Sequence, residues 1–406
     1  MDCGRIANSV LHWNYRGFTE FPLKRLQGEE DEITDIYLKE NLISRIPSDI
    51  GKLNNLESLY LSGNDITELP IEIAKLTRLK CLDLSGNRLR YIPDEIGEVR
   101  NLKFLILDEN ELRELPLRIA ELRTLRYLSV CDNALQWLPQ RPVYNYHHCE
   151  LRFWRNSSLK SIPYSLWYHM FRGQQTRSLD IGCLSQPNHQ QTSNSARCVL
   201  QLSQNLPGYH LDLNFPTKYN HIFDKGSSFV PSLFELSKRK FYDVIKEAAM
   251  RLTKAPLSIY VDFNNADKFE TNYNIRDLQE TLNGCNINNN NNNVIFNSND
   301  QRTNEIDNLI LRSKRKGSCE PKDMIEEYFD YLPRFIRDDL CNGPLSRCEN
   351  ARCKKPIFDF VYYEFCVEKL ILIEATEDII LSAAFCSKTC AEAWKPGKAI
   401  LNWKFV

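Results

Sequence analysis

Between residues 33 and 171 the apolar positions fall into a pattern that returns every 23 residues. One unit carries them at Leu56, Leu59, Leu61, Ile66, Leu69, Ile73 and Leu76. The next carries them at Leu79, Leu82, Leu84, Leu89, Ile92, Ile96 and Val99. Polar and imino positions keep the same interval. Asparagines stand at Asn41, Asn64, Asn87, Asn110, Asn133 and Asn156, and prolines at Pro47, Pro70, Pro93, Pro116 and Pro139, with Pro163 one residue late. In the first half of each unit, L-x-x-L-x-L, alternate residues point to opposite sides, as in a strand. In the second half, I-P-x-x-I-x-x-L, the spacing is helical. No unit of this length buries its own leucines, so the units must stack. Stacking gives a curved parallel sheet with a returning convex layer. Each asparagine turns the chain, and its amide is placed to bond the backbone of neighbouring coils.

An open stack needs covers at both ends. Asn14-Tyr15-Arg16 through Phe21-Pro22 reads as a degenerate first coil, which makes residues 1–32 an N-terminal cap. Ser161-Ile162-Pro163 through Met170 closes the far end of a solenoid over 33–171. The predicted fold class is therefore α/β: a leucine-rich-repeat solenoid, followed by helices and a small zinc-bound β module.

The outward strand positions line the concave face. They place Tyr37, Tyr60, Asp83, Ile106, Ser129 and Arg152 in a middle column, flanked by Asp35, Lys39, Phe104, Asp108, Tyr127 and Trp154. Any one of these is as well explained as a solvated sheet residue. Together, Tyr37, Tyr60, Phe104, Ile106, Tyr127 and Trp154, with Asp83 and Arg152, make an aromatic-rich surface of the kind that binds proteins.

Beyond the repeats the pattern weakens. Residues 172–230 read as an irregular linker with a strand near Val199-Leu200-Gln201-Leu202, and 231–254 as a helix opening at Pro231. Residues 255–320 read as an Asn-rich, partly disordered insertion around Asn288–Asn293. The run Lys314-Arg315-Lys316 suits a solvated linker or a nuclear-import signal. Residues 321–340 return to helix, and 341–406 read as a four-cysteine module.

The module rests on two close pairs, Cys348-x4-Cys353 and Cys386-x3-Cys390. Two turns presenting two thiolates each make a closed tetrahedral site, with Zn–S near ~2.3 Å, so the expected cofactor is structural Zn2+. The spacing leaves Cys341 open as a substitute for Cys348. Four buried free cysteines are the alternative. Strands are expected over Ile357–Tyr362, Lys369–Ile373 and Leu381–Phe385, then a short helix from Ala391 to Trp394.

Two short helical stretches resemble ligase-recruiting boxes. Ser232, Leu233, Ser237 and Phe241 stand where the elongin-binding box of SOCS-box proteins has Ser/Thr-Leu, a small residue and an apolar one. Leu332-Pro333, with Ile336 and Leu340, resembles the cullin-contacting box that follows it. Roughly ninety residues separate the two, and packing against a core explains the same apolar spacing. The implied partners are elongins B and C and a cullin.

Composition narrows the classes. A formal net charge of −1 gives no electrostatic case for nucleic acid or an anionic membrane. No apolar run approaches the ~20 residues of a spanning helix, and Met1-Asp2-Cys3-Gly4-Arg5 does not read as a signal peptide. The 14 cysteines are then expected in a reducing cytoplasmic or nuclear setting, where clusters signify metal. No phosphate-binding glycine loop, nucleophile elbow or His-bearing zinc motif is present, so no enzyme is expected. His147-His148 beside Cys149 reads as loop.

Several motifs together carry a wider resemblance: Asn14-Tyr15-Arg16 with Phe21-Pro22-Leu23, Ser158-Leu159-Lys160-Ser161-Ile162-Pro163, Leu332-Pro333-Arg334, Arg352-Cys353-Lys354-Lys355-Pro356, and Phe385-Cys386-Ser387-Lys388-Thr389-Cys390. On these the chain is similar to leucine-rich-repeat proteins in which a repeat array precedes helices and a cysteine module. The resemblance implies that order of parts and supplies no catalytic residue. The expected function is binding of a protein partner on the concave face, as a substrate receptor of a cullin–RING ubiquitin ligase. The alternative is a signalling scaffold of the Ras-pathway repeat type.

Overall fold

The structure is a computed structural model that describes residues 9–26, 28, 30–143, 148–171, 197–201, 210–214, 231–254, 321–344, 346–358, 361–371 and 376–405. They form two compact units, one of residues 1–230, 345–354 and 359–406, the other of residues 231–344 and 355–358. The Asn-rich run, Lys314-Arg315-Lys316 and His147 lie outside the described residues.

In the first unit seven short strands form one parallel sheet in chain order: β1 Val10–His12, β2 Asp35–Tyr37, β3 Ser58–Tyr60, β4 Cys81–Asp83, β5 Phe104–Ile106, β6 Tyr127–Ser129 and β7 Glu150–Arg152. The 23-residue interval fixes the register, so Ile36, Leu59, Leu82, Leu105, Leu128 and Leu151 stand in one column. All six are buried. The strand β1 was not anticipated; it extends the sheet into the expected cap.

The convex layer has helical spacing but not α-helices. Ser48–Lys52, Ile71–Lys75, Asp94–Glu98 and Leu117–Glu121 are single 3-10 turns, each opened by a proline in extended conformation. Proline loses nothing there, because the first N–H of a turn has no partner in the turn. One such turn fills the short span before the next strand.

The asparagines do form a ladder. Asn110 Oδ1 accepts from Leu89 N on the preceding coil at 3.0 Å, while its Nδ2 donates to Leu84 O on that coil (3.0 Å) and Leu107 O on its own (3.1 Å). Asn64, Asn87, Asn133 and Asn156 repeat the arrangement. Each buried amide thus satisfies backbone groups of two coils. The residue before each asparagine is left-handed, at Glu40, Gly63, Gly86, Glu109, Asp132 and Arg155.

Coil spacing also constrains Gly97. A Cβ there would lie 2.6 Å from Arg118 O and 2.9 Å from Arg118 Cβ on the next coil. Gly97→Ala is expected to cost about 1–3 kcal/mol by forcing two coils apart. A denaturant midpoint unchanged from the parent would contradict this packing.

The cysteine module does not stand alone. The strands β8 Ile162–Pro163, β9 Arg197–Gln201, β10 His210–Asn214, β11 Tyr362–Ile371, β12 Thr376–Phe385 and β13 Ala399–Phe405 make one sheet, ordered β10-β9-β13-β11-β12-β8. Here β8 pairs in parallel with β12, Ile162 facing Leu381, and the residues expected as a linker supply β9 and β10. The last coil packs on this sheet. Trp137 meets Tyr363 edge-on at 5.7 Å, and Gln140 Nε2 donates to Ser382 Oγ at 3.1 Å. The end of the solenoid is therefore covered by a sheet from the far end of the chain, as well as by Ser161–Met170. The strand expected over Ile357–Tyr362 is divided: Pro356–Ile357 is a two-residue strand in the second unit, and β11 begins at Tyr362.

The second unit packs α1 Leu233–Lys254, α2 Pro321–Tyr328 and α3 Arg334–Asn342 around Ile245, Ala248, Met324, Ile325, Phe329 and Leu340. The single helix expected over 321–340 is two, because Pro333 cannot continue a helix and instead starts α3. Ser232 caps α1, its Oγ accepting from Glu235 N at 3.1 Å.

Candidate functional site

The concave face carries the expected columns in two stretches. At one end His12, Tyr37 and Tyr60 stack in series, with ring centroids 4.9 and 4.6 Å apart. Lys39 Nζ lies 5.1 Å from the Tyr60 ring and 3.1 Å from Asp83 Oδ2. Burial, then hydrogen bonding with Cys81, raises the Tyr60 phenol above its usual range, so Tyr60 presents a neutral ring. At the other end Phe104 is exposed, and Ile106, Tyr127 and Trp154 are half-buried. Arg152 covers Tyr127 with its guanidinium 5.3 Å from the ring centroid and pairs with Glu150 Oε1 at 2.7 Å.

Two residues of the middle column, Asp83 between the stretches and Ser129 within the second, turn back onto the protein. Asp83 is only 5% exposed and accepts from Lys39, Ser85 N and Ser85 Oγ. Ser129 is fully buried and donates to Asp108 Oδ1 at 2.6 Å. These two residues organise the face and offer a partner little area. His12 was missed because β1 lies 25 residues before β2 rather than 23.

The two box-like stretches meet. Phe234 and Phe335 have ring centroids 6.2 Å apart, and Lys238 Nζ pairs with Asp339 Oδ2 at 3.0 Å. The residues divide between surface and core, however. Leu233 is 80% exposed, Phe335 63%, and Leu236, Ser237 and Pro333 are also exposed. Phe241, Leu332 and Ile336 pack against the unit's own core, and Leu340 is buried within it. The inner side of α1's first turns is polar instead. Glu235 is fully buried, with Oε1 accepting from Arg239 Nε at 2.5 Å and from Phe358 N at 3.1 Å. The helix keeps an ion pair inside and three apolar side chains outside.

The third constellation is the thiol cluster. Glu349 N donates to Ala384 O, holding the turn of Cys348 and Cys353 against β12, and Asn350 O accepts from Cys353 N at 2.9 Å. Cys386 follows β12 directly. Cys390 lies in the first turn of α4, Lys388–Trp394, where Ser387 Oγ accepts from Cys390 N at 3.3 Å. The sulfurs of Cys348, Cys353, Cys386 and Cys390 all lie within 4.8 Å of one another. Cys386 Sγ is 3.5 Å from Cys353 Sγ and 3.7 Å from Cys390 Sγ. Tetrahedral ligands ~2.3 Å from one metal stand about 3.8 Å apart, so this donor set can hold a metal ion. Hydrogen bonds converging on Cys386, led by the one from Cys348, lower its thiol pKa. Cys348, and not the alternative Cys341, is the fourth sulfur of this cluster. Burial pushes Cys366, outside the cluster, up to about 12.

No helix among the described residues is long and apolar enough to cross a membrane. A family model described as leucine-rich repeats (2 copies) matches residues 54–96. Among curated proteins none matches the chain. Among solved structures the chain is similar to a leucine-rich-repeat protein of Leptospira interrogans, at 34% identity over 34% of each chain with a TM-score of 0.31. It is similar to the leucine-rich-repeat ectodomain of a receptor kinase from Arabidopsis thaliana, at 28% identity over 29% of this chain and 67% of that one, TM-score 0.27. A plant peptide hormone receptor, solved with its hormone, is 24% identical over 37% of this chain and 25% of that one, TM-score 0.32. The chain thus spans 34% of the bacterial protein's length and 25% of the hormone receptor's.

Proposed function

We propose that this leucine-rich-repeat chain, built on a fold that serves protein–protein interaction, is a non-enzymatic adaptor that grips a protein partner along its concave face. The observation that carries this is the row of side chains turned outward by the sheet: the His12–Tyr37–Tyr60 stack at one end and Phe104, Ile106, Tyr127 and Trp154 at the other. Rigid aromatics on a fixed scaffold lose little entropy on binding and dominate interface energies. Proximity labelling in cells with the parent chain and with Tyr60→Ala plus Trp154→Ala tests it. Each truncation is expected to cost about 1–2 kcal/mol, so the principal partner should fade roughly tenfold or more. An unchanged partner profile would refute the assignment.

The apolar edge of the helical unit favours a second role, recruitment of a ubiquitin ligase through elongins B and C and a cullin. Its support is the adjacency of the two boxes, with Leu233, Phe234 and Phe335 turned to solvent. Leu233→Ala plus Phe335→Ala removes that edge without entering the core, and is expected to abolish elongin capture in a pull-down. If the parent chain itself captures no elongin or cullin, the ligase role falls and the scaffold reading stands.

We assign the thiol cluster to zinc. Four thiolates from two turns fill a tetrahedral shell, leaving no ligand position for water, so the metal would be structural. Cys348, Cys353, Cys386 and Cys390 would hold it, tying the turn before β11 to the helix after β12.

A further inference from the structure

Three coils of the solenoid carry an unbalanced charge along the lip where their strands begin. Residues 77–80, 100–103 and 123–126 hold six basic side chains, Arg78, Lys80, Arg100, Lys103, Arg123 and Arg126, and no acidic one. Lys80, Lys103 and Arg126 stand immediately before β4, β5 and β6. Lys103 N donates to Lys80 O, and Arg126 N to Lys103 O, each at 2.8 Å, which sets these residues one coil apart. Lys80 is paired with Glu57, and Arg100 and Arg123 are engaged within the protein. Arg78, Lys103 and Arg126 have no side-chain hydrogen bond or ion pair among the described residues, and Arg78 and Arg126 are exposed. The opposite lip is acidic. Asp108 accepts only from the neutral Ser129 Oγ and Cys131 N, and the exposed Glu109 has no ion pair among the described residues.

Phe104 and Tyr127, the first residues of β5 and β6, lie next to these cations. The concave face thus passes from cations through aromatic rings to carboxylates. Neighbouring strands lie ~4.8 Å apart, so three coils bring their cations within about one screening length at physiological salt, and a ligand meets them as one field. Nucleic acid or an anionic bilayer, charged over its whole surface, would meet Asp108 and Glu109 as it crossed the face. A helical segment of a protein can carry its acids along one side only. Its positions three and four apart stand ~5–6 Å from one another, close to the coil interval. We propose that the partner of the concave face docks through an acidic amphipathic helix. Its carboxylates meet Arg78, Lys103 and Arg126, and its apolar side chains cover Phe104, Ile106 and Tyr127. The proposal rests on the concave-face reading and adds to it the chemistry of the partner.

The test uses the full chain and two fluorescein-labelled pools of helix-forming peptides. Both carry randomised apolar residues on one face, and the flanking positions three and four apart are Glu in one pool and Gln in the other. Exposed charge pairs are individually weak, but three acting together should make the Glu pool bind about tenfold more tightly at low salt, equivalent to ~1.4 kcal/mol. The preference should shrink at about 0.5 M salt. Lys103→Glu plus Arg126→Glu should abolish it, with a melting midpoint within about 2 °C of the parent. Phe104→Ala plus Tyr127→Ala should weaken both pools alike. Equal binding of the two pools, or a preference that survives the charge reversal, overturns the proposal. The concave-face reading outlives that result if the Phe104 and Tyr127 truncations still weaken both pools, and falls separately if they do not. A duplex oligonucleotide or phosphatidylserine vesicles bound more tightly than the Glu pool, and released by the charge reversal, would assign the cations to a phosphate surface and overturn the proposal too.

Discussion

Removing metal from the thiol cluster is expected to unfold the C-terminal sheet outright. Structural zinc sites contribute ~10–16 kcal/mol in small modules, comparable with the ~5–15 kcal/mol that holds a whole domain together. Here the four sulfurs tie the turn of Cys348 and Cys353 to the helix beginning at Lys388, and that helix packs Trp394 on Phe385 at 5.1 Å. Elemental analysis should find close to one zinc per chain. A strong chelator, or Cys386→Ser, should erase the near-ultraviolet signal of Trp394 and Trp403 and lower the melting midpoint by roughly 10 °C or more. Cys81→Ser, outside the cluster, should leave both readings in place. Less than half an equivalent of zinc, or a chelated protein that melts like the parent, would remove the metal from this account.

Glu235→Ala is the second large effect. The carboxylate is fully buried and holds both Arg239 and the N–H of Phe358. Removing the carboxylate takes from Arg239 its buried counter-ion and from the Phe358 N–H its acceptor, at a cost of about 3–5 kcal/mol. All six tryptophans lie in the first unit, so global fluorescence would miss the loss. Hydrogen exchange over 233–254 reads it directly, and protection should fall by roughly a hundredfold to a few thousandfold. Glu235→Met with Arg239→Met should recover part of it, because the ion pair is then replaced by apolar groups while the Phe358 N–H still lacks its acceptor. A double variant as unprotected as the single one would contradict this.

What the sequence disclosed follows from how far each signal reaches. The solenoid was legible because one interval governs leucines, asparagines and prolines alike, so every coil votes for the same register. The convex turns were legible only as helical spacing, since a single 3-10 turn and a short α-helix place apolar residues alike. His12 stayed hidden because its strand breaks the interval. The first turns of α1 misled in a more useful way. Spacing brings Leu233, Leu236, Phe241, Val244 and Ile245 near one face of the helix, yet the fold turns Leu233 and Leu236 outward and Glu235 inward. Of the clustered thiols, spacing gave two pairs and one ambiguity, and only three-dimensional placement grouped Cys348 rather than Cys341 with the others. The pairing of Ile162 with Leu381 was out of reach, because residues so distant leave no local trace of one another.

That pairing bears on how the chain is made. A ribosome finishes Ile162 about 220 residues before it adds Leu381, a delay on the order of ten seconds or more at cellular synthesis rates. Throughout that interval Trp137, Leu159 and Ile162 would lie bare at the open end of a nascent stack. A fragment stopped after the repeats would keep that raw end permanently, which makes it a poor surrogate for the intact molecule and a ready client for chaperones.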